Sequence, residues 1–512
     1  MNNQRNANNK TNINIYIITY KLFSFSLLII FISLIPSSKI NPTNVSELQI
    51  YNNQSLKILL PSGQCKLNQK TLFFTSPLRD NSKELYKQYD IRDYQNKKSS
   101  FVTYYNGDEE YFKYETILSQ HGLIKSVNIY ADNNFFFSKY AVSLIKKNST
   151  FMKLNNFKKF YRFYGYEVLM KDTLYMSYLE MKKEFGQDYN YMPETYHFPI
   201  DRYAIIDKFR DYKLNLDDLW LVKPTHMMGG IGIKILKSLK TIHRKEFLIT
   251  KYITNLDLIN GKKYDFRLYI LVTGLKPLRI YFNQDGLVRI ASKKFSLDRK
   301  SIKNRYVHLT NTGVNSGSKD FIKPNNYTNE EANIWNLHTY EKHITSLGAD
   351  YKELKTKIFD IIIKSIISVY KNLTTELSEN NLNDINFYDI LGYDVIITND
   401  YNPILLEINS GPSMYRHNAL DKIIKTNLLI DTLNLVGITP FSKNLIFNQK
   451  AEPDIVSVEY NVNNALCELS RPRGDYELIF PLKENIDKYR KYFKNRNTEE
   501  NELFWEMIQK ES

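Results

Sequence analysis

Residues 387–413 (FYDILGYDVIITNDYNPILLEINSGPS) constrain the fold more than any other stretch, because they read as two short strands joined by a turn. Residues 399–402 are turn formers, and a regular antiparallel hairpin closed by them sets Asp394 directly opposite Glu407. Glu407 and Asn409 lie two positions apart, so the period of a strand places all three oxygen-bearing side chains on one face. The other face of the second strand is apolar and is predicted to belong to a core: Ile404, Leu406 and Ile408.

The chemistry of this polar face favours a metal ion. Two carboxylates and an amide oxygen that converge repel one another unless a hard cation lies between them. Mg²⁺ prefers such oxygen ligands, especially where nucleotide phosphates complete its shell. A half-exposed hairpin that turns a polar face to solvent explains the same spacing, and the residues alone leave both interpretations open.

A second constraint is a glycine-rich loop between two short strands. Residues 220–224 (WLVKP) form a short buried strand with Lys223 near its end, and Gly229, Gly230 and Gly232 follow before the next strand. Glycines let backbone N–H groups approach phosphates, so this hairpin tip can cover a nucleotide. No Gly-Lys-Ser/Thr follows, which excludes a P-loop. A mobile hairpin tip without a ligand is the alternative.

Residues 261–272 (GKKYDFRLYILV) alternate between charged and apolar side chains, as a strand does. Lys263, Asp265 and Arg267 share one face with Tyr269, and the opposite face is predicted to lie in the core. Charged side chains that enter an apolar strand must be paired or take part in function, so this stripe is a candidate site.

The next stretch, residues 277–295, is predicted to form a hairpin closed by a turn at Asp285 and Gly286, since Asp-Gly is a strong turn signal. Arg279 and Arg289 lie within its apolar strands, and two guanidiniums suit bidentate recognition of carboxylate or phosphate. Apolar residues at helical spacing predict amphipathic helices over residues 171–186, 352–373 and 417–438.

The net charge and the N-terminal residues limit which partners the chain is expected to have. Its 512 residues carry 70 Lys and Arg against 55 Asp and Glu, and the net charge of +15 favours acidic partners. No basic arm with interleaved aromatic residues occurs, so the charge is predicted to be spread over the surface. Two cysteines are too few for a disulfide framework or a cysteine zinc site. The apolar run 22–35 follows basic residues and is a secretory signal, a membrane anchor or an extension without a targeting role.

Several motifs, in a single order, resemble the tubulin tyrosine ligase-like family of ATP-grasp ligases over about residues 150–495. They are WLVKP then GIGI, GKKYDFRLYILV, PLRIY then DGLVRIASKKFS, HLTN, LGYDVIITND and LLEINSGPS. PLRIY with DGLVR, and RPRGDYELIFP in the tail, are most similar to the polyglutamylase branch. The resemblance implies an α/β (α+β) fold of the ATP-grasp type, with N-terminal, central and C-terminal subdomains around a nucleotide cleft.

On this basis the chain divides into five parts. Residues 1–97 are an N-terminal extension that holds the apolar run 22–35 and a largely disordered connector. Three subdomains of the ligase core and a helical tail follow: 98–205, 206–275, 276–440 and 441–512.

The resemblance also implies roles for single residues. Asp394, Glu407 and Asn409 match the magnesium ligands of the family. Lys263, Asp265, Arg267 and Arg289 match the catalytic cluster of the family. In that cluster the arginines hold the γ-phosphate, the acyl phosphate or the incoming amino acid, and the aspartate orients the cations. The ATP-binding set provides a backbone edge for adenine at the hinge and contacts to the phosphates: Lys223, Gly230, Gly232, Lys251, Tyr252, Ile253, Lys263 and Asn311.

Three departures from the family pattern bear on activity. Gly229 stands where the family has a basic residue before Gly-Ile-Gly-Ile, and Thr250 stands where Gln is common. After HLTN, residues 312–316 (TGVNS) lack the usual lysine. The metal ligands and the core arginines are present, so we expect an active ligase.

The resemblance predicts an ATP- and Mg²⁺-dependent protein polyglutamylase that acts through an acyl phosphate on glutamate side chains of the tubulin C-terminal tail. A ligase for glycine or tyrosine and a catalytically degenerate microtubule-binding relative are the alternatives. The expected partners are tubulin or microtubules, free glutamate and a membrane contacted through residues 22–35, but not nucleic acid. The chain is expected to act as a monomer in the cytoplasm, at the cytoskeleton or cilium.

Overall fold

The computed structural model describes residues 165–438, except 228, 243, 244 and 381, and residues 457–510. The chain from Leu48 onward forms one compact unit. The apolar run 22–35 lies outside the described residues, and no described helix is both long enough and apolar enough to cross a bilayer. Before residue 165, only short pieces are described: 49–52, 70–74, 76, 78, 79, 91–93, 103–106, 115, 124–126, 135–137, 159–161 and 163.

The predicted helices form where apolar residues recur at helical spacing. The longest of them begins after Asp350, whose side chain accepts hydrogen bonds from the backbone N–H groups of Lys352 at 2.8 Å and Glu353 at 3.1 Å. The described α-helices are α1 Lys171–Phe185, α2 Arg202–Phe209, α3 Arg305–His308, α4 Thr312–Asn315, α5 Leu337–Ser346, α6 Tyr351–Glu379, α7 Ala419–Val436, α8 Val458–Leu469, α9 Ile486–Arg490 and α10 Glu499–Lys510.

The strands of the described residues form three sheets, and most of the strand pairs are antiparallel. The described strands are β1 Gln49–Asn52, β2 Lys70–Phe73, β3 Ile91–Asp93, β4 Thr103–Asn106, β5 Ile124–Ser126, β6 Phe135–Phe137, β7 Lys159–Tyr161, β8 Thr195–Phe198, β9 Trp220–Pro224, β10 Lys234–Ile235, β11 Phe247–Lys251, β12 Leu258–Ile259, β13 Lys262–Leu275, β14 Leu278–Ile290, β15 Ile334–Asn336, β16 Phe387–Ile397, β17 Pro403–Ser410 and β18 Tyr476–Phe480.

The largest sheet has eleven strands, and its main path runs β15-β14-β13-β16-β7-β6-β4-β5. At its sides β12 pairs with β13, β17 with β16, and β18 with β14. Apolar residues of α6 pack with Phe266 and Leu268 on one face, whereas those of α7 pack with Tyr269 and Leu271 on the other. The apolar face predicted for residues 261–272 is therefore confirmed as core.

A second, four-stranded sheet has the order β10-β9-β11-β8 and its own small core around Trp220, Phe209 and Ile249. This sheet runs from β8 to β11, so it begins before residue 206 and does not include β13. The mixed α/β fold class is confirmed, and the boundaries given for the five parts of the chain stay a prediction.

A third sheet, β2-β1-β3, lies within the predicted connector, so that stretch contains ordered elements. The piece after β2 packs on α7. Arg79 donates from Nη1 and Nη2 to the two carboxylate oxygens of Asp431, both at 2.8 Å, and a second bond of Arg79 Nη2 reaches Asp475 at 2.5 Å. The backbone N–H of Phe74 donates to Asn434 Oδ1 at 2.7 Å.

The hairpin of residues 387–413 forms as predicted near the polar residues but not near its turn. Asp394 pairs with Glu407, yet Val395 pairs with Leu405, so a bulge leaves Leu406 unpaired between them. The bulge breaks the period of two. Leu405 and Ile408 enter the core, while Leu406 lines a cleft, so the prediction of a core position for Leu406 is wrong.

The predicted turn at Asp285 and Gly286 is also wrong, because β14 continues through both residues. The strands β13 and β14 join at Lys276 and Pro277 instead. Within β14 the Asp285 side chain accepts hydrogen bonds from the Gly286 N–H at 2.8 Å and from Tyr327 Oη at 2.7 Å. A Cβ at Gly286 would come 2.9 Å from a backbone oxygen of β13, so glycine serves close strand approach here rather than a turn.

Candidate active site

A cleft lies between the four-stranded sheet and the eleven-stranded sheet, and strands of both line it. It encloses about 880 Å³, a volume that includes space open to solvent. The predicted site residues that line it are Lys223, Gly230, Lys251, Tyr252, Ile253, Lys263, Asp265, Asn311, Asp394 and Glu407.

Asp394 is a buried carboxylate in the wall formed by the larger sheet. Arg267 is its partner across β13 and β16, and Arg267 Nε and Nη2 donate to the two carboxylate oxygens at 2.6 and 3.1 Å. Arg289 Nη2 lies 2.9 Å from Asp394 Oδ2. Burial alone raises the pKa of a carboxyl group, but the two guanidiniums outweigh burial and hold the pKa of Asp394 well below its usual range.

Arg289 also binds Asp265, its partner across β13 and β14. Its Nε and Nη2 donate to the Asp265 carboxylate at 2.8 and 2.5 Å. Two guanidiniums and two carboxylates thus form one buried network across three neighbouring strands. Arg267 and Arg289 do not themselves line the cleft, because their guanidiniums are turned to these carboxylates.

Glu407 and Asn409 lie on β17, where Glu407 is the partner of Asp394 across β16 and β17. Asn409 Nδ2 donates to Glu407 Oε1 at 3.2 Å, and Glu407 lines the cleft whereas Asn409 does not. No group of three or more His, Cys, Asp or Glu side chains is placed to hold a metal within the described residues. Two carboxylates with one amide oxygen still fit a hard cation such as Mg²⁺, provided that phosphate oxygens and water complete its shell.

Lys171 at the start of α1 belongs to the site, although sequence reasoning missed it. Its Nζ lies 3.1 Å from Glu407 Oε2 and donates to the carbonyl oxygen of Met227 at 3.0 Å. Lys171 therefore ties the glycine loop to a predicted metal ligand, and it lines the cleft. In the sequence, only the Lys171-Asp172 pair pointed to this residue. The contacts of Lys171 with Glu407 and Met227 join three parts of the chain that are distant in sequence.

Lys223 and Lys263 supply buried positive charge. The pKa of each ammonium is lowered to about 8, chiefly by burial, and the nearby charge of Lys223 contributes to the lowering at Lys263. Both groups are therefore protonated at neutral pH but lose their charge sooner than ordinary lysines. The Lys223 ammonium donates a hydrogen bond to no described residue, so it is available to a ligand.

A directed chain of hydrogen bonds holds Lys263. His308 Nε2 lies 3.1 Å from the carbonyl oxygen of Ser301, which can only accept, so this nitrogen carries the proton. His308 Nδ1 then accepts from Tyr252 Oη at 2.9 Å, and Tyr252 Oη accepts from Lys263 Nζ at 3.3 Å. Burial and the charge of Lys263 lower the pKa of His308 to about 4, so this chain persists at neutral pH.

The glycine loop has the backbone form that its residues predict. Gly229, Gly230 and Gly232 have φ angles of 66°, 75° and 78°, a region that side chains disfavour. A Cβ at Gly230 would come 2.7 Å from Asn311 Oδ1, so the loop passes close against the HLTN motif. Gly230 lines the cleft, but Gly232 does not, and Ile233 is there instead.

The predicted hinge, residues 251–253, has one free backbone donor. The Lys251 N–H donates to Glu194 O at 2.8 Å, and the Tyr252 N–H donates to Leu219 O at 2.9 Å. The Ile253 N–H donates to no described residue. Of the three hinge residues, Ile253 is therefore the one whose N–H can reach a ligand.

Arg279 lies outside the site, so its predicted use in ligand recognition is wrong. Its Nε donates to Glu468 Oε1 at 2.9 Å, and its other nitrogens donate to the carbonyl oxygens of Pro277 at 2.5 Å and Thr273 at 3.2 Å. This ion pair between Glu468 on α8 and Arg279 on β14 attaches the tail to the larger sheet.

Two sheets that enclose a cleft lined by lysines, a glycine loop and paired carboxylates define an ATP-grasp-like fold. Comparison with known proteins agrees: a model of the tubulin-tyrosine ligase family matches residues 146–445. This match covers more than half of the chain, which therefore belongs to the tubulin-tyrosine ligase family.

The curated relatives are named as tubulin glutamylases, which agrees with the predicted branch. Tubulin monoglutamylase TTLL4 of Mus musculus is 30% identical over 294 residues, 57% of this chain and 24% of the relative. Tubulin polyglutamylase ttll-4 of Caenorhabditis elegans is 31% identical over 294 residues, 57% of this chain and 48% of the relative. Tubulin polyglutamylase TTLL5 of Mus musculus is 30% identical over 327 residues, 63% of this chain and 24% of the relative. The chain thus matches about a quarter to a half of the length of these relatives.

Proposed function

We propose that this chain is an ATP-dependent glutamylase that adds glutamate to glutamate side chains of the acidic C-terminal tail of tubulin. The charge balance of the cleft carries the proposal. Five cationic side chains that line the cleft or lie directly behind its wall meet three carboxylates, which leaves an excess of two positive charges in a partly buried place: Lys171, Lys223, Lys263, Arg267 and Arg289 against Asp265, Asp394 and Glu407. Lys251 also lines the cleft, but its charge is paired with that of Asp218 and does not add to this excess. A polyphosphate nucleotide supplies the missing negative charge.

The residues of the chain have distinct roles in this proposal. The ammonium groups of Lys223 and Lys263 contact the phosphates of ATP, and the Ile253 N–H contacts adenine. Arg267 and Arg289, fixed by Asp394 and Asp265, hold their positive charge at one position beside the reacting groups. Phosphoryl transfer depends mostly on such positioning and charge neutralisation.

The proposed reaction has two steps. A carboxylate oxygen of the tail takes the γ-phosphoryl group of ATP, which releases ADP and leaves an acyl phosphate. The amine of free glutamate then attacks the acyl carbon, an amide bond forms, and inorganic phosphate and a proton leave. Asp394, Glu407 and Asn409 would hold Mg²⁺, which would supply neutralisation of the phosphate charge.

The test is incorporation of radiolabelled amino acids into microtubules by the purified full-length chain. Glutamate, glycine and tyrosine are compared side by side, with microtubules whose C-terminal tails have been removed by protease as the control. We expect incorporation of glutamate that requires ATP, Mg²⁺ and intact tails. Incorporation of glycine or tyrosine instead would identify a different ligase of the family, and no incorporation of any of them would overturn the proposal.

The lowered pKa values of Lys223 and Lys263 predict an unusual pH dependence. As pH rises through about 8, both ammonium groups lose the charge that binds phosphate, so kcat/KM for ATP decreases. This decrease occurs at a pH well below the pH at which ordinary lysines titrate. Arginine keeps its charge in this range, so Lys223→Arg is expected to make the fall less steep. Identical pH profiles for the variant and the wild type would exclude Lys223 as a phosphate ligand.

Tyr252→Phe tests the hydrogen-bond chain that holds Lys263. The substitution removes one hydroxyl, so Lys263 loses its acceptor and His308 loses its donor. The hydrogen bond from the Lys263 ammonium is long, 3.3 Å, so it contributes about 1 kcal/mol, and we expect KM for ATP to rise by about fivefold with a smaller change in kcat. Tyr212→Phe is the matched control, because that hydroxyl donates to a carbonyl oxygen outside the cleft. Equal KM values for both variants would show that the chain does not position Lys263.

A further inference from the structure

One segment beside the cleft concentrates positive charge. Residues 293–323, here called the basic segment, contain eight Lys and Arg but only two Asp and no Glu, a net charge of +6 out of +15 for the whole chain. All eight cations are exposed: Lys293, Lys294, Arg299, Lys300, Lys303, Arg305, Lys319 and Lys323.

The two acidic residues of the basic segment are engaged within it. Asp298 accepts hydrogen bonds from the backbone N–H groups of Lys300 and Ser301, both at 2.8 Å, so its carboxylate stabilises a local turn. Asp320 forms an ion pair with Lys293. The remaining basic side chains of the segment form no ion pair with any described residue.

The basic segment is continuous with the wall of the cleft. Its residues His308, Thr310 and Asn311 line the cleft. Its backbone is attached just before the start of β13, where the Phe295 N–H donates to Gly261 O at 2.8 Å, and within the segment the Lys293 N–H donates to Tyr306 O at 3.1 Å. A chain bound along this surface is therefore led to the reacting groups.

The chemistry of the surface favours an acidic polypeptide over other polyanions. Nucleic-acid surfaces interleave cations with exposed aromatic rings, but Phe295 packs against His308 and Tyr306 is half-buried. Ile322 is the one large apolar side chain that the segment exposes, which is little for insertion into a lipid surface. A glutamate-rich strand needs only charge and can enter a narrow cleft.

We infer that the basic segment is the docking surface for the acidic polypeptide substrate, an inference that rests on the proposed function for the identity of that substrate. Charge at the entrance raises the local concentration of an acidic chain and speeds its encounter. Exposed charges act through a screening length of about 8 Å at physiological salt. Docking is therefore expected to weaken steeply as salt concentration rises.

The experiment neutralises four cations that form no ion pair with the described part of the chain: Arg299→Gln, Lys300→Gln, Lys303→Gln and Arg305→Gln in one variant. A matched control removes the same charge from exposed lysines on α5, α6 and the tail: Lys342→Gln, Lys352→Gln, Lys371→Gln and Lys494→Gln. Binding of a fluorescein-labelled glutamate-rich peptide is measured by anisotropy at low and physiological salt. Thermal stabilisation by MgATP reports folding and an intact nucleotide site in both variants.

We expect the segment variant to bind the peptide at least about tenfold more weakly with unchanged stabilisation by MgATP, and the control to stay within about twofold of the wild type. Equal losses in both variants would overturn the inference, since net charge alone would then explain binding. Unchanged peptide binding with lost binding to phosphatidylserine vesicles would also overturn it, in favour of a lipid surface.

The outcomes separate this inference from the proposed function. If the wild type attaches no glutamate to microtubules but the segment variant alone loses the peptide, the docking surface stands and the proposed function fails. If the wild type glutamylates microtubules and the two variants bind the peptide equally, the proposed function stands and the docking surface fails.

Discussion

Asp394→Asn is expected to abolish ligase activity and to destabilise the fold. Asp394 is 3% exposed and balances the charge of two guanidiniums, those of Arg267 and Arg289. Removing one partner of a buried ionic network leaves uncompensated charge and costs about 3–5 kcal/mol. The midpoint of urea unfolding measures this loss. Because the substitution also removes a proposed metal ligand and frees the arginines, we expect about a 10³-fold fall in glutamate incorporation.

A double substitution separates the two effects. Arg267→Met combined with Asp394→Asn removes one cation together with the carboxylate, and the pair of Arg289 with Asp265 stays intact. We expect this variant to regain much of the lost stability, because the two changes are coupled through one contact. It should remain inactive. If Asp394→Asn alone kept both its unfolding midpoint and a tenth of its activity, the assigned role of Asp394 would be wrong.

The sequence predicted the pairing of Asp394 with Glu407 because a strand has a fixed period and a turn fixes the register. It could not predict the bulge that displaces Leu406. A bulge depends on what lies across the sheet, and here it brings an apolar side chain to the cleft while Leu405 fills the core. The spacing of residues along the sequence therefore does not predict the bulge.

Asp285 and Gly286 are a second place where local sequence did not predict the structure. Their local signal is a turn, yet the apolar residues on both sides pair along β13, and the larger number of strand contacts decides the outcome. A glycine is required there for close approach to β13, which only the pairing reveals. Turn propensity is a weak preference that tertiary pairing overrides.

Most of the residues carried over from the resemblance line the cleft, because each lies within a strand or motif whose position the fold determines. Lys171 was missed because its partners, Glu407 and Met227, lie far away in the chain. The basic segment was missed for a related reason. Its cations are irregularly spaced in sequence around His308 and Asn311, and only the fold shows that these two residues line the cleft.

Glu407→Gln is expected to lower activity by about 10²-fold while leaving the fold intact. Glu407 is half-buried, so loss of its charge changes the free energy of unfolding by at most about 1 kcal/mol. The substitution removes one of the two carboxylates proposed to hold Mg²⁺, and an amide is a much weaker ligand for a hard cation. The Mg²⁺ concentration needed for half-maximal thermal stabilisation by ATP should therefore rise. That concentration is measured alongside glutamate incorporation.

Lys171→Gln provides the contrast that makes this result interpretable. Both substitutions remove the ion pair between Lys171 and Glu407, but only Glu407→Gln removes a proposed metal ligand. Loss of the lysine frees the carboxylate, so Lys171→Gln should leave the Mg²⁺ requirement unchanged or lower it. Glu407→Asp keeps a carboxylate and should restore part of the activity. If Glu407→Gln and Lys171→Gln had the same Mg²⁺ dependence, Glu407 would act through its ion pair alone, and the metal site would have to be assigned to other oxygen atoms of the cleft.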